Sequence, residues 1–426
     1  MGLPNAGKIR TFVTLFLVLA ATLANADDQP KYSDYIATLD NLDNEAFDDI
    51  LIQEISDYLH RFPDAPDVDQ MHFKIATIYH DHNDRLASFF ASMEVIYLYP
   101  ESPVVAPAQD RVRSLLVKEK KFKPLKDQAD ALIHPTLNDT SREASYYTFL
   151  QDMVDLRFDK IREQLLRGTQ RYLRNYPDSE RADAVLFWRA ELLAQSKKPK
   201  QALSEYLKLT YVHSSSLYVT ASKLKMADLF SQKLKDPKKA ILTLEEFLLE
   251  FPDDPQASLA QLRIAKINEK KNKKYLEAIN GYTAVAAHYP QSADAVPALF
   301  DAARLYEDKF KEYDQAIRVY TEIVRDFPND IKAPHAYAEA ARIYEKRLKD
   351  YFNAASVYFK VYGNYPESGI APECLFAAAE INEKKLQDFD KALMYYRFVA
   401  DNYPNHKLAN KATKRIDKVS KKQMEQ

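Results

Sequence analysis

His80 and His82 come closest to a metal site in this 426-residue chain, because they flank Asp81 and lie just before Asp84. Imidazole and carboxylate groups are usual protein ligands of zinc. On a helix, however, residues at i and i+2 point in different directions, so both histidines could reach one ion only if a turn began there. We interpret the cluster as a polar turn between two helices, and we predict no metal site.

No other arrangement in the sequence is typical of catalysis. It contains no phosphate-binding glycine loop, GxSxG nucleophile motif, HExxH zinc helix or CxxC pair. The single cysteine, Cys374, lies among apolar residues, so we predict a buried structural thiol rather than a reactive one. We interpret Trp188, the only tryptophan, as packing in a core or a groove rather than stacking on a ligand. We therefore predict that the protein is not an enzyme and binds no cofactor.

The elements that carry these residues repeat with a 38-residue period, the interval from Pro252 to Pro290. Five prolines with this spacing each follow a tyrosine or phenylalanine, and an alanine precedes each proline at a constant offset, as Ala240 precedes Pro252. A second alanine series follows the helix-end position of seven units at another constant offset, as Ala265 follows Pro252. We predict that both series mark close helix crossings. A fixed period in this range indicates a solenoid. The helix-end residues are Pro252, Pro290, Pro328, Pro366 and Pro404, and the repeat-packing residues are Ala76, Ala190, Ala227, Ala265, Ala303, Ala341, Ala379, Ala240, Ala278, Ala316, Ala354 and Ala392.

Each period reads as two helices. The proline stops one helix, and a polar pair such as Asn329 and Asp330 follows it, so we expect these side chains to cap the next helix. In the clearest unit the first helix is predicted over 293–309 and the second over 313–326. Residues 101–160 contain several prolines and a basic run, and we interpret them as distorted repeats or as a joint. The pattern predicts an all-α fold.

The helix pairs, with alanine and aromatic residues at fixed spacing and an aromatic–proline end, resemble tetratricopeptide repeats. The resemblance implies a right-handed α-solenoid of tetratricopeptide-like units. It points to repeat proteins of the bacterial cell envelope, such as the lipoprotein D subunit of the β-barrel assembly machine and the repeat domain of the Tol–Pal coordinator. Two features depart from these relatives. The period is longer than that of the usual tetratricopeptide repeat, by about one helical turn, and no cysteine is placed for lipid attachment.

The amino-terminal part of the chain differs in composition from the rest. Residues 1–26 combine a basic start, an apolar run and an Ala-Asn-Ala end, which is typical of a secretory signal peptide. Residues 27–110 contain 18 acidic and 4 basic residues, whereas the remainder of the mature chain is basic. We predict a signal peptide (1–26), an acidic tetratricopeptide-like block (27–134), a regular solenoid (135–416) and a polar tail (417–426).

Solenoids present long curved surfaces that suit extended or helical peptides. We therefore expect a non-catalytic scaffold or adaptor of the periplasm that binds protein or peptide partners and serves outer-membrane or envelope assembly. The alternative is a docking subunit of an enzyme or transport complex that acts on peptidoglycan or exopolysaccharide. We expect no nucleic-acid partner and no transmembrane segment after cleavage, while peripheral association with a membrane complex stays open.

Overall fold

The computed structural model describes residues 29–42, 45–139 and 141–424, so the predicted signal peptide lies outside the described residues. Within these ranges the regular structure is entirely helical, with twenty-one α-helices and no strand. The chain divides into two compact units, the first ending at Val219 and the second beginning at Thr220. Each is a stack of helix pairs, as predicted for an all-α solenoid of tetratricopeptide-like units. The predicted domain boundary at residue 134 stays a prediction.

The first unit contains ten complete helices. A run of 3₁₀ helix, Lys120–Gln128, interrupts the order of pairs and is followed by the shortest helix. The helices are α1 (Gln29–Asp40), α2 (Asp48–Arg61), α3 (Val68–Asp81), α4 (Arg85–Leu98), α5 (Val105–Lys118), α6 (Ala129–Ile133), α7 (Arg142–Asp155), α8 (Arg162–Asn175), α9 (Ala182–Gln195) and α10 (Pro199–Val212).

Helix α4 is the centre of the first unit. Eleven of its fourteen residues are buried, because its sequence is apolar or small around nearly the whole circumference. Phe89 packs against Phe122 with ring centroids 4.9 Å apart, and Phe90 packs against Phe149 at the same separation. The irregular segment that begins at α5 therefore covers one side of α4, while α7 covers another.

The second unit follows the repeat period closely. Most of its first helices widen at their carboxyl ends into one turn of π-helix. The helices are α11 (Val219–Asp228), α12 (Pro237–Glu250), α13 (Ala257–Ile267), α14 (Tyr275–His288), α15 (Ala295–Leu305), α16 (Tyr313–Asp326), α17 (Ala333–Ile343), α18 (Tyr351–Asn364), α19 (Ala371–Ile381), α20 (Phe389–Asn402) and α21 (Ala409–Met424).

The clearest repeat shows how the sequence terminates its helices. Helix α15 and the π-turn Tyr306–Phe310 together cover most of the predicted first helix, and α16 has the predicted bounds. The π-turn ends at Lys311, which adopts a left-handed conformation with φ of 59°. The backbone N–H of Phe327 bonds to the Ile323 carbonyl at 2.9 Å and closes α16 directly before Pro328.

The residues expected to cap the first helices act one turn earlier than predicted. Asp330 accepts from the backbone N–H of Lys332 at 2.7 Å, and Ser292 accepts from Asp294 at 3.1 Å, but neither reaches the first turn of the following α-helix. A short turn separates each proline from its helix, and these side chains stabilise that turn. In the second unit, side-chain caps occur instead on second helices, as at Asp350, which accepts from the backbone N–H of Asn353 at 3.1 Å.

Candidate functional site

The repeat-packing alanines form the inner contacts of each stack. All twelve of the predicted alanines are at most 1% exposed. The tightest approach is at Ala265 of α13, because a Cβ atom built on Gly281 of α14 would lie 2.9 Å from the Ala265 Cβ. Side chains of ordinary size could not occupy both positions without moving the helices apart. The five helix-end prolines each follow the residue that closes a second helix.

An open groove of about 680 Å³ lies in the first unit between α7, the turn into α8, and α9. Its apolar wall includes Phe158, Phe187 and Trp188, and its rim carries charged side chains such as Arg157 and Glu191. Phe187 and Trp188 are half-buried, so part of each ring is accessible. An apolar floor with a polar rim is the composition expected of a site that binds a peptide.

Stacking between aromatic rings holds the groove side chains in place. Trp188 stacks on Tyr147 with centroids 5.1 Å apart, and the Arg181 guanidinium lies 5.5 Å from the centroid of the same tyrosine ring. Phe187 stacks on Tyr218 with centroids 4.9 Å apart. Because these contacts fix the ring planes before any partner arrives, binding would cost little additional side-chain entropy.

The position equivalent to Trp188 is charged rather than aromatic in three repeats of the second unit. Two residues before Ala265, Ala303 and Ala341, as Trp188 is two residues before Ala190, the second unit holds Arg263, Asp301 and Glu339. Each forms an ion pair within the unit, with Asp228 at 3.2 Å, Arg304 at 3.0 Å and Arg342 at 2.7 Å, respectively. These side chains already have partners, so the first unit offers the better apolar surface for a ligand.

Buried and half-buried glutamates, which the sequence analysis did not identify, connect successive repeats of the second unit. Glu307 is 4% exposed and accepts hydrogen bonds from Arg342 at 3.1 Å and from Arg347 at 2.9 Å. Burial alone would raise the pKa of Glu307, but the bonds from these arginines lower it below its ordinary value. Glu269 likewise accepts hydrogen bonds from the Tyr282 hydroxyl at 2.6 Å and from the Arg304 guanidinium at 2.9 Å.

The sequence contained a signal for this series. Glutamates recur with the same period as the alanines, and a tyrosine follows each of them at a constant spacing. The pairs are Glu269 and Tyr282, Glu307 and Tyr320, Glu345 and Tyr358, and Glu383 and Tyr396.

A second opening of about 670 Å³ lies in the second unit, at the carboxyl ends of α14 and α16. Glu322, Asp326 and Asp330 line it together with Phe327, so its charged residues are acidic. Ile331, in the loop beside it, is 86% exposed. This opening is less well suited to a peptide than the groove of the first unit, because it has no cluster of accessible aromatic rings.

The two histidines and the cysteine considered in the sequence analysis have the following surroundings: the histidines contact charged side chains, and the cysteine is buried. His82 pairs with Asp48, and His80 accepts from the Arg85 guanidinium at 3.0 Å. In the part of the chain that the structure describes, no group of three or more His, Cys, Asp or Glu side chains could hold a metal. Cys374 is 5% exposed. Its burial, and to a lesser extent the negative charge of the nearby Glu373, raise the pKa of its thiol to about 12. That thiol is therefore protonated at neutral pH.

Helix length and polarity decide whether a helix can span a membrane. Across residues 29–42, 45–139 and 141–424, every helix is either too short or too polar to span a bilayer.

Comparison with known proteins finds a repeat family in the second unit. Residues 221–254, 259–292, 297–330 and 373–406 match the family model of the tetratricopeptide repeat. No curated protein matches the chain in sequence. Among solved structures, a tetratricopeptide repeat protein from Parabacteroides merdae is 16% identical with a TM-score of 0.34, covering 63% of this chain and 98% of that one. The C-terminal part of a repeat protein from Cytophaga hutchinsonii is 14% identical with a TM-score of 0.37, covering 62% and 98%. The second unit of this protein is therefore built with tetratricopeptide repeats, a fold that serves as a scaffold for protein or peptide partners.

Proposed function

We propose that this protein is a non-catalytic scaffold of the bacterial cell envelope, which binds a peptide or protein partner in the groove of its first unit. The observation that carries the proposal is the pair of accessible, stacked rings of Phe187 and Trp188 in a groove of about 680 Å³. Aromatic anchors of this kind contribute a large share of the affinity in protein interfaces.

The rim of the groove favours a partner with mixed charge. Arg157 and Arg162 supply positive charge, and Asp155, Asp159 and Glu191 supply negative charge around the aromatic floor. An extended segment with one or two large apolar residues and flanking charges would complement it. Affinity would come from burying the apolar residues against the rings, and the rim charges would select the register.

The envelope assignment rests on the amino-terminal sequence. A basic start, an apolar run and a small-residue end precede Asp27, as in exported proteins. We propose that the mature chain begins at Asp27 and works in the periplasm, in the assembly or maintenance of the outer membrane or envelope. Mass spectrometry of the native protein should find Asp27 at the amino terminus, and a chain that retains residues 1–26 would contradict this location.

Site-specific photo-crosslinking in intact cells tests the groove. A photoreactive residue at Gln195, an exposed position on the groove wall, should crosslink a small set of discrete envelope proteins. The same residue at Lys208, exposed on α10 and outside the groove, is the matched control and should not capture them. Trp188→Ala should reduce the Gln195 crosslinks at least fivefold. Equal capture from both positions, or capture indifferent to Trp188, would refute binding in this groove.

The partner found in this way can be verified with purified protein. Because Trp188 is the only tryptophan in the chain, its fluorescence reports on the groove alone. A segment of the crosslinked partner that carries no tryptophan should shift or quench that emission to saturation. Binding without any change in Trp188 emission would place the contact elsewhere on the protein.

A further inference from the structure

The first unit also contains a small cavity of about 40 Å³, which shares no lining residue with the groove. It lies where the carboxyl ends of α2, α4 and α8 meet the start of α7. Three arginines line it, Arg142, Arg171 and Arg174, together with two histidines. None of its described lining residues is an aspartate or glutamate. This composition is unexpected because residues 27–110, which form much of the surrounding unit, carry 18 acidic and only 4 basic residues.

Hydrogen-bond donors at the cavity exceed the acceptors that the protein supplies. Arg171 uses only Nη1 to reach Glu94, at 3.0 and 3.2 Å, so its Nε and Nη2 have no partner among the described residues. Its side chain keeps 27% of its surface accessible. Arg174 forms no hydrogen bond or ion pair with any described residue, and it is exposed. Arg142 binds the Pro63 carbonyl and Asp64, whose own side chain is 93% exposed.

His72 is the second, independent observation. It is only 8% exposed, it lines the cavity, and it makes no hydrogen bond within the described part of the chain. Its ring packs against the Tyr99 ring, with centroids 5.3 Å apart. Burial, and to a lesser extent the positive charges of Arg171 and Arg142, lower the pKa of His72 to about 3. A buried polar ring without a partner normally indicates a missing ligand or water.

We propose that this cavity binds an oxyanion, either the carboxylate of a peptide or a free phosphate. Planar guanidinium groups bind both through paired N–H donors. The cavity holds several times the volume required by one water, which is enough for a group of this size. The inference does not rest on the proposed function, because no residue lines both the cavity and the groove.

A structural role for the arginines is the competing explanation. Cations near a helix carboxyl end offset the negative end of the helix dipole, and three such ends converge here. That role requires no ligand, so it predicts that added anions act only by general screening.

Titration of His72 separates the two explanations. The mature full-length protein, labelled with ¹³C at the histidine ring, is titrated with acetate or inorganic phosphate against chloride at constant ionic strength. A bound oxyanion beside His72 should shift its resonance to saturation, whereas chloride should not. Saturation by acetate assigns the site to carboxylates, and saturation by phosphate alone assigns it to phosphate. If neither anion produces a saturable shift, the proposal is wrong.

Arg174→Gln is the decisive variant, because this exposed side chain lines the cavity and makes no hydrogen bond or ion pair with a described residue. It should weaken oxyanion binding at least fivefold. Arg167→Gln is the matched control, since Arg167 is exposed on the same helix but does not line the cavity. It should bind as the wild type does. Equal weakening by both substitutions would show that the shift reflects overall charge, and would also overturn the site.

Discussion

Replacing Gly281 with alanine should destabilise the protein, although alanine is the better helix former. Gly281 lies on α14 and faces α13, where an added Cβ would come within 2.9 Å of the Ala265 Cβ and 3.2 Å of its Cα. The Cα belongs to the backbone and the Cβ is fixed to it, so neither can rotate away. Carbon atoms prefer a separation of about 3.5–4.0 Å. The two helices would therefore have to move apart by roughly half an ångström or more.

Two opposing terms set the size of the effect. Overpacking of a well-packed interface costs typically about 1–3 kcal/mol. Replacing a glycine within a helix by alanine raises the unfolding free energy by up to about 1 kcal/mol, because alanine has the higher helix propensity. The expected net loss is therefore about 1 kcal/mol of unfolding free energy, within a range of roughly 0–2 kcal/mol. Ala265→Gly in the Gly281→Ala background removes the 2.9 Å contact but leaves the 3.2 Å contact with the Cα atom. It should therefore recover most of the overpacking term while incurring its own helix-propensity cost.

Gly363→Ala is the matched control, because a Cβ atom at Gly363 of α18 meets no atom within 4 Å. It should raise stability, by up to about 1 kcal/mol. Urea unfolding followed by circular dichroism measures all the variants under one condition. A loss of unfolding free energy for Gly281→Ala together with a gain for Gly363→Ala would demonstrate the close crossing. Stabilisation by both substitutions would refute it, and so would the absence of coupling between positions 265 and 281.

Three further predictions concern the second unit. Ala303→Leu should lower the unfolding free energy by about 1–3 kcal/mol through overpacking, whereas Lys311→Leu should change it little, and equal thermal shifts would contradict this. Glu307→Gln should cost about 2–3 kcal/mol at pH 7. The folded pKa of Glu307 lies below its unfolded value, so its contribution to the unfolding free energy is present above about pH 4.3 and is lost as the pH falls through the folded pKa. The stabilities of wild type and variant should therefore converge in acid. A difference that stays constant with pH would refute the pairing. Deleting one period, 291–328, should leave a folded helical protein, whereas deleting 291–308 should cause aggregation, as circular dichroism and light scattering can show.

The sequence was most informative where structure is local and periodic. It predicted the bounds of α16 because an amphipathic stripe and a following proline define that helix within one stretch of chain. It missed the π-turn before Lys311, since the widened hydrogen-bond pattern has no residue signature comparable to proline. The helix caps were placed one turn early for a related reason. A polar residue after proline predicts a turn and a cap equally well, and only the backbone path decides between them.

Contacts between distant parts of the chain could not be predicted from the period. Glu94 and Arg171 are 77 positions apart, and their ion pair depends on the way the irregular segment lets α7 and α8 pack onto α4. The arginine-lined cavity of the first unit has the same origin, because its lining comes from helices that are distant in sequence. The glutamate series of the second unit was in principle detectable, since Glu269 and Glu307 recur with the same period as the alanines.

The two units differ in a way that bears on function. Where the repeat pattern is regular, first-helix positions such as Asp301 and Glu339 form ion pairs within the array, and a partner would have to break them to bind. In the first unit the equivalent position is Trp188, and its ring remains partly accessible. Breaking an ion pair whose members are partly buried costs more than covering an exposed aromatic ring, which is itself favourable. Recognition is therefore expected at the accessible aromatic position of the first unit rather than at the ion-paired positions of the second.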